Sequence, residues 1–253
     1  MAKQKSLKDT WVVITRPAHQ TENLQLKLES VCANTILFPL IEIAPPEDLA
    51  LVKKQLDNLQ NYDLVIFVSA NAVEQTFNYI ESAKFKSVKV ATTGKKTGSL
   101  LEDAGVKIDF CPSQIFNSEA LLATPNFKLF CEGKSIAIIR GEGGRNLLRN
   151  ELLKIASSVD YINTYQRICP QTNSDLLEQY AEQGELDIIL LTSGTSVDNF
   201  FSLAKSESWL NDITLLIGSP RMQKKIPDSF QGKLAIAEDP SDETLYKKLI
   251  EIC

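Results

Sequence analysis

The sequence predicts an α/β protein of two similar domains, each a parallel sheet flanked by helices, the two joined by a two-stranded linker ladder. Three observations carry this expectation. Short apolar, β-branched runs alternate with amphipathic stretches along the chain, which is the pattern of parallel sheets covered by helices. One strand–turn–helix phrase is written twice, as VSANAVEQTF at 68–77 and as TSGTSVDNFF at 192–201. The length, 253 residues, suits one large domain or two small ones and is enough to bury a core.

In chain order, WVVIT at 11–15 reads as a buried strand. TENLQLKLES at 21–30 then sets Leu24 and Leu28 one helical turn apart with charges between them. LVIFV at 64–68, VKVAT at 88–92, SIAIIR at 135–140, LDIILLT at 186–192 and ITLLIG at 213–218 are further strands, most of them followed by a polar turn and a helix. PSDETLYKKLIEI at 240–252 reads as a helix capped by Ser241 or Asp242. The stretches IEIAPPEDLA, with Pro45 and Pro46, and RICPQTNSD, around Pro170, break the pattern and mark boundaries. The runs beside them, LFPLIEIAPP and INTYQRICP, occupy matching places in the two halves and are expected to pair as strands crossing between domains.

The repetition extends beyond one phrase. Ser69 and Ser193, Val73 and Val197, and Phe77 and Phe201 all stand 124 residues apart. The same offset carries Gly94 onto Gly218, Arg16 onto Arg140, and Leu24 and Leu28 onto Leu148 and Leu152. One uncorrected offset relating three strand–turn–helix units argues for an internal duplication, with too few copies for a solenoid.

Composition narrows the function. A net charge of −5 removes a chain-wide nucleic-acid footprint, though it leaves open a local basic patch. The five cysteines (Cys32, Cys111, Cys131, Cys169, Cys253) are scattered, odd in number and without C-x-x-C spacing, as expected of thiols in a reducing compartment rather than of a zinc site or a disulfide frame. MAKQKSLKDT is not followed by an apolar segment long enough for a leader or a membrane span, so a cytoplasmic protein is expected. The single histidine, His19, excludes mechanisms needing two and reads as an exposed loop residue. No segment reads as a subunit interface, so a monomer is expected.

The repeated turns sit where strands end and helices begin, the usual ligand edge of a parallel sheet. Helix starts there suit anions, and Ser69, Asn71, Thr97, Ser193, Thr195 and Ser196 add donors. Ordinary capping explains any one of them; the set, facing each other from two domains, would make an anion-binding cleft. RGEGGRNLL at 140–148 resembles a nucleotide loop only weakly, because G-x-G-x-x-G spacing fails at Asn146 and no acidic residue closes a following strand. Arg140 and Arg145 more simply supply positive charge. Tyr165, beside the second proline boundary, is either a space-filling aromatic of an edge strand or a donor of a hydrogen bond or proton.

Taken together, ITRP, FVSANAV, TGKKTGSLLEDAG, IIRGEGGRNLL, TYQRICP, LLTSGTSVDNFF and PSDETL span nearly the whole chain, and in their order and spacing the sequence resembles the uroporphyrinogen-III synthase family. The resemblance implies a discontinuous first domain of residues 1–37 and 170–253, a second of 44–162, and linkers at 38–43 and 163–169. It implies cyclisation of hydroxymethylbilane, a linear polycarboxylate tetrapyrrole, with loss of water and inversion of the last ring through an azafulvene and a spiro intermediate. No metal, nucleotide or organic cofactor is implied, and no nucleic-acid or membrane partner. Tyr165 matches the tyrosine thought to assist departure of the hydroxyl. Ser69 and Thr97 match substrate positions in one domain, and Thr192 and Ser193 the equivalent edge of the other. With Arg16, Asn71, Arg140 and Ser196 they form the expected substrate-binding set. Arg221 joins that set as a departure from the family pattern: it stands where Thr97 stands in the first repeat and where many members keep threonine, and an arginine there could bind a carboxylate directly. Two alternatives remain open from residues alone, a non-catalytic tetrapyrrole or anion-binding module and a nucleotide-dependent enzyme using the 140–148 loop.

Overall fold

The structure, a computed structural model, describes residues 6–171, 175–204 and 208–253. Residues 1–5 of the N-terminal stretch and 172–174 of the second boundary stretch lie outside the described residues.

Two compact units emerge. The first takes the described residues up to Glu42 and from Ile168 to Cys253; the second is Ile43–Arg167. The first unit contains strands β1 (Trp11–Ile14) and β2 (Asn34–Leu37), with helix α1 (Glu22–Glu29) between them. The second unit begins within β3 (Glu42–Ala44) and holds α2 (Leu49–Asp57), β4 (Leu64–Phe67), α3 (Ala70–Phe77), β5 (Lys89–Thr92) and α4 (Lys95–Asp103). It continues with two short helices, α5 (Ser118–Leu122) and α6 (Phe127–Cys131), then β6 (Ser135–Gly141), α7 (Leu147–Leu152) and β7 (Ser158–Ile168), whose last residue returns to the first unit. The chain then completes the first unit with α8 (Asp175–Glu182), β8 (Ile188–Leu191), α9 (Gly194–Leu203), β9 (Thr214–Ile217), β10 (Lys233–Ile236) and α10 (Asp242–Ile252).

The first sheet runs β10–β9–β8–β1–β2, every neighbouring pair parallel. The second runs β3–β7–β6–β4–β5, with the β7–β6, β6–β4 and β4–β5 pairs parallel. The strands formed by the apolar runs are buried, apart from the first residues of β1, β5, β6 and β9, because both faces of each sheet are covered. In β4, Leu64 and Ile66 enter one core and Val65 and Phe67 the other; in β8, Ile188 and Leu190 face one side and Ile189 and Leu191 the opposite side. Such two-sided burial is why central parallel strands read as continuous hydrophobic runs. Leu24 and Leu28 of α1 and Leu245 and Leu249 of α10 fill one layer of the first unit, while Val197 and Phe200 of α9 fill its other.

The duplication is written into the strand orders. The offset of 124 residues carries β4 (Leu64–Phe67) onto β8 (Ile188–Leu191), and within a residue β5 onto β9. It also carries the starts of β1 and β2 onto those of β6 and β7. The equivalent strands β9–β8–β1–β2 and β5–β4–β6–β7 then occur in the same order in the two sheets. Each sheet therefore combines strands of both repeats. The short outer strands β2 and β10, and the five-residue helices α5 and α6, carry patterns too brief for the sequence to announce.

His19 is exposed in a single 3₁₀ turn, hydrogen-bonded to Gln20 at 2.9 Å. Cys32, Cys111, Cys131 and Cys169 are free thiols. No group of three metal-ligating side chains occurs among the described residues, and no helix among them is long and apolar enough to cross a membrane. Cys131 is fully buried, and that burial pushes its thiol up to about 11, whereas Cys32, Cys169 and Cys253 are exposed. Iodoacetamide at pH 8 should therefore modify those three in the folded protein and leave Cys131 unlabelled until denaturant is added, as read by peptide mass spectrometry.

Candidate functional site

In both units the expected site residues gather at the C-terminal edge of the sheet. In the second unit Ser69 follows β4 and caps α3, accepting from the Ala72 amide at 3.2 Å. Asn71, half-buried, lies in the first turn of α3. Thr97 lies in the first turn of α4 and is 4% exposed. That helix is capped by Gly94, which offers no side-chain acceptor, so its first amides are not answered by a capping side chain. Arg140 ends β6, and Tyr165 lies near the end of β7.

Tyr165 does not lie on a sheet edge: β7 runs from Ser158 to Ile168 with β3 beside it, the pairing expected of the two boundary runs, and the ring is 1% exposed within the core of the second unit. Its orientation comes from an irregularity in the pairing of β6 with β7. Ile139 pairs with Ile162 and Arg140 with Asn163, but Gly141 pairs with Tyr165, which leaves Thr164 as an extra residue. Up to that point alternation puts Ile162 on the face covered by α2 and α3, and Val159 and Tyr161 on the opposite face. In a regular strand Tyr165 would share the face of Tyr161. The extra residue turns it over to join Ile162, as a bulge does. Thr164 bears a local cost, its hydroxyl being fully buried with no hydrogen-bond partner.

Gly141 makes room for the result. A Cβ there would stand 2.4 Å from the ring carbon bearing the phenol oxygen and 2.5 Å from its neighbour. The ring lies directly over the Gly141 backbone, and only glycine permits that approach.

So placed, the phenol oxygen is 3.1 Å from Ser69 Oγ and accepts a hydrogen bond from Arg167 Nη2 at 2.9 Å. The Arg167 guanidinium also lies 5.1 Å from the centre of the tyrosine ring. A guanidinium only donates, so the phenol proton points away from it, toward Ser69 or a group in the adjoining pocket. That pocket has a volume of about 230 Å³ and is lined by Ser69, Arg140, Gly143, Tyr161, Tyr165 and Arg167. Sequence reasoning missed Arg167; its only signal was its position two residues beyond Tyr165, which puts both side chains on one face of a strand.

Arg140 is 8% exposed. Its Nε donates to the Gly141 carbonyl at 3.0 Å and its Nη1 to the Arg145 carbonyl at 3.3 Å, and its guanidinium covers the Tyr161 ring at 4.5 Å. Arg145 is an exposed residue paired with Glu119 at 2.7 Å.

The first unit has a similar edge. Thr192 follows β8, half-buried, and Ser193 caps α9. Ser193 Oγ accepts from the Ser196 amide at 3.0 Å, and Ser196 Oγ donates to the Ser193 carbonyl at 2.7 Å, so both hydroxyls serve the helix start. Thr195 beside them is exposed. Arg221 is exposed on the 3₁₀ turn Pro220–Lys225 that follows β9. Arg16, after β1, forms an ion pair with Asp242 and donates to the Pro240 carbonyl, so its charge is already answered at the start of α10.

Comparison with known proteins gives one consistent result. The family model described as "Uroporphyrinogen-III synthase HemD" matches residues 22–247. The Escherichia coli protein named uroporphyrinogen-III synthase is 25% identical, over 94% of this chain and 99% of that one. A Synechococcus elongatus protein of the same name is 29% identical over 81% of this chain and 78% of that one. The "Porphyrin biosynthesis protein HemD" of Ruminiclostridium josui is 24% identical over 98% of this chain, which spans 50% of that longer protein. Among solved structures, uroporphyrinogen-III synthetase of Helicobacter pylori aligns with a TM-score of 0.62 at 16% identity, covering 96% of this chain and all of that one. A mutant uroporphyrinogen III synthase of Thermus thermophilus aligns with a TM-score of 0.59 at 15% identity, again over 96% of this chain and all of that one. The solved structures speak for the fold.

The contact between Gly141 and Tyr165 has a measurable consequence. Gly141→Ala should lower stability in urea unfolding by ~1–3 kcal/mol, the usual cost of overpacking. Adding Tyr165→Ala should offset much of that loss, because it removes the ring the new methyl group strikes.

Proposed function

The chain belongs to the uroporphyrinogen-III synthase family, cyclising lyases of porphyrin and haem biosynthesis, and on that premise we propose how its own residues carry the reaction. The substrate is hydroxymethylbilane, and the product is the macrocycle with its last ring inverted, plus one water. The hydrogen-bonded set at Tyr165 carries this reading. The phenol is fixed between Arg167 and Ser69, beside a pocket at the strand ends.

In the first step the terminal hydroxyl leaves as water. Tyr165 donates its proton, or a strong hydrogen bond, to the departing oxygen while the pyrrole nitrogen lone pair drives formation of the exocyclic C=C bond and the C–O electron pair leaves with oxygen. This gives the azafulvene in its N-protonated form; the proton lost from the pyrrole α-carbon at final ring closure restores the phenol. Arg167, already donating to the phenol oxygen, supports the negative charge that develops there. Ser69 orients the phenol while capping α3. A pyrrole carbon then attacks, the spiro intermediate opens, and the ring recloses turned over. These carbon–carbon steps need the chain held in a ring-closing geometry more than they need further acid or base.

Binding falls to the helix starts and hydroxyl groups. Asn71 and Thr97 in the second unit and Thr192, Ser193 and Ser196 in the first lie where strand ends meet helix N-termini, positions suited to carboxylates. Arg140 and Arg221 add cationic contacts. We assign Arg16 mainly to anchoring α10, given its pairing with Asp242. The family assignment favours this synthase over a non-catalytic binding module.

The test uses freshly prepared hydroxymethylbilane and separation of the porphyrin isomers after oxidation. The protein should divert closure from the uninverted I isomer, which forms spontaneously, to the III isomer; folded protein yielding only isomer I would refute the proposal. Tyr165→Phe should lower kcat about 100-fold or more if the phenol is the acid. Arg221→Ala should raise KM several-fold, by about 1 kcal/mol of lost binding, with little change in kcat.

A further inference from the structure

Arg140 is hard to explain as a structural residue. It is 8% exposed, and among the described residues no carboxylate lies within ion-pair distance of it. Its described hydrogen bonds go to two backbone carbonyls, of Gly141 and Arg145. A buried cation without a counter-ion is costly, and proteins keep one where a ligand supplies the missing charge. The surroundings are shaped around it. Gly144 has φ +89°, and a Cβ there would stand 2.8 Å from Arg140 Nη2. The loop thus clears the outer edge of the guanidinium while Tyr161 covers its face at 4.5 Å. Arg167, lining the same pocket, also has no carboxylate partner among the described residues; its described hydrogen bond is to the Tyr165 phenol.

Building on the synthase reading, we infer that this pocket is the seat for one carboxylate side chain of the substrate, with Arg140 as its main ligand and Arg167 as the second. At about 230 Å³ the pocket takes a carboxymethyl or carboxyethyl arm with the edge of its pyrrole, and is too small for a whole tetrapyrrole. Because Tyr165 shares the pocket wall, the arm seated there belongs to the ring that bears the leaving hydroxyl. Arg140 then acts in binding and registration, holding the hydroxyl against the phenol. Arg167 has two tasks, fixing the phenol and closing the seat. The remaining carboxylates are left to the helix starts, which are less selective.

The seat can be tested without turnover, so its failure is distinct from failure of the synthase reading. Succinate serves as the probe. Titrated into the folded protein, it should shift the side-chain Nε–H resonance of Arg140 in ¹H–¹⁵N spectra, saturating in the millimolar range. Arg140→Gln should abolish succinate binding measured at the Arg167 Nε–H resonance, and Arg140→Lys should retain part of it. In the isomer assay Arg140→Gln should raise KM about 10- to 100-fold, the worth of a charge-assisted contact, while the product stays isomer III. Absence of any succinate shift in the wild-type protein would overturn the inference. So would succinate binding that survives Arg140→Gln unchanged. If Arg140→Gln does not fold, Arg140→Lys carries the test: unaltered succinate affinity and KM in that variant would equally reject Arg140 as the ligand, because an ammonium cannot reproduce the guanidinium's fork.

Discussion

The placement of Tyr165 depends on one extra residue in a strand. Thr164 has no counterpart on β6, and that mismatch turns Tyr165 from the face of Tyr161 to the face of Ser69. Without it the phenol would point into the opposite layer, where α5, α6 and α7 pack. The arrangement has a cost, since the Thr164 hydroxyl is buried without a partner and position 141 accepts no side chain. Local departures of this kind, maintained against a stable scaffold, concentrate at functional sites. The scaffold here can hold one. β6 and β4 lie side by side within a sheet buried on both faces, and their alternation is regular up to Arg140.

The doubled architecture explains what surrounds the tyrosine. Each sheet is built from strands of both repeats in the same order, so each presents a similar edge with a serine-capped helix start, at Ser69 in one unit and Ser193 in the other. The edges have since diverged. In the second unit the serine reaches the phenol; in the first it closes a capping box with Ser196. Arg16 and Arg140 occupy equivalent places in the repeat and have taken different work. One is paired with Asp242 and ties down a helix. The other is buried without such a partner and faces a pocket. An ion pair and a buried cation with no carboxylate partner among the described residues thus occupy equivalent positions of the repeat.

Much of the fold was legible because two-sided burial makes central parallel strands read as uninterrupted apolar runs, and because Ser69, Ser193 and Ser241 are recognisable caps. The edge strands β2 and β10 were not read, since half-exposed tetrapeptides such as NTIL and KLAI carry little pattern. Within the site, the positions of Tyr165, Ser69 and Arg140 at strand ends were legible. Their geometry was not. A period of two cannot reveal that one residue has been inserted against the partner strand, so INTYQRICP read as a strand crossing between domains, and nothing in its pattern singled out Arg167. Nor could Arg16 be matched to Asp242, a partner 226 residues away, from local pattern. Gly141 was visible as one glycine of a loose nucleotide-loop resemblance; its actual reason is the ring above it.

The most direct test is insertion of one alanine between Arg140 and Gly141, which gives Thr164 a partner on β6 and, by the two-residue period of a strand, returns Tyr165 to the face of Tyr161. The expected result is a folded protein, by circular dichroism and cooperative unfolding, in which formation of isomer III from hydroxymethylbilane falls to the level of Tyr165→Phe. A folded insertion variant that makes isomer III at the wild-type rate would contradict this, because the phenol would then be dispensable in the place the bulge gives it.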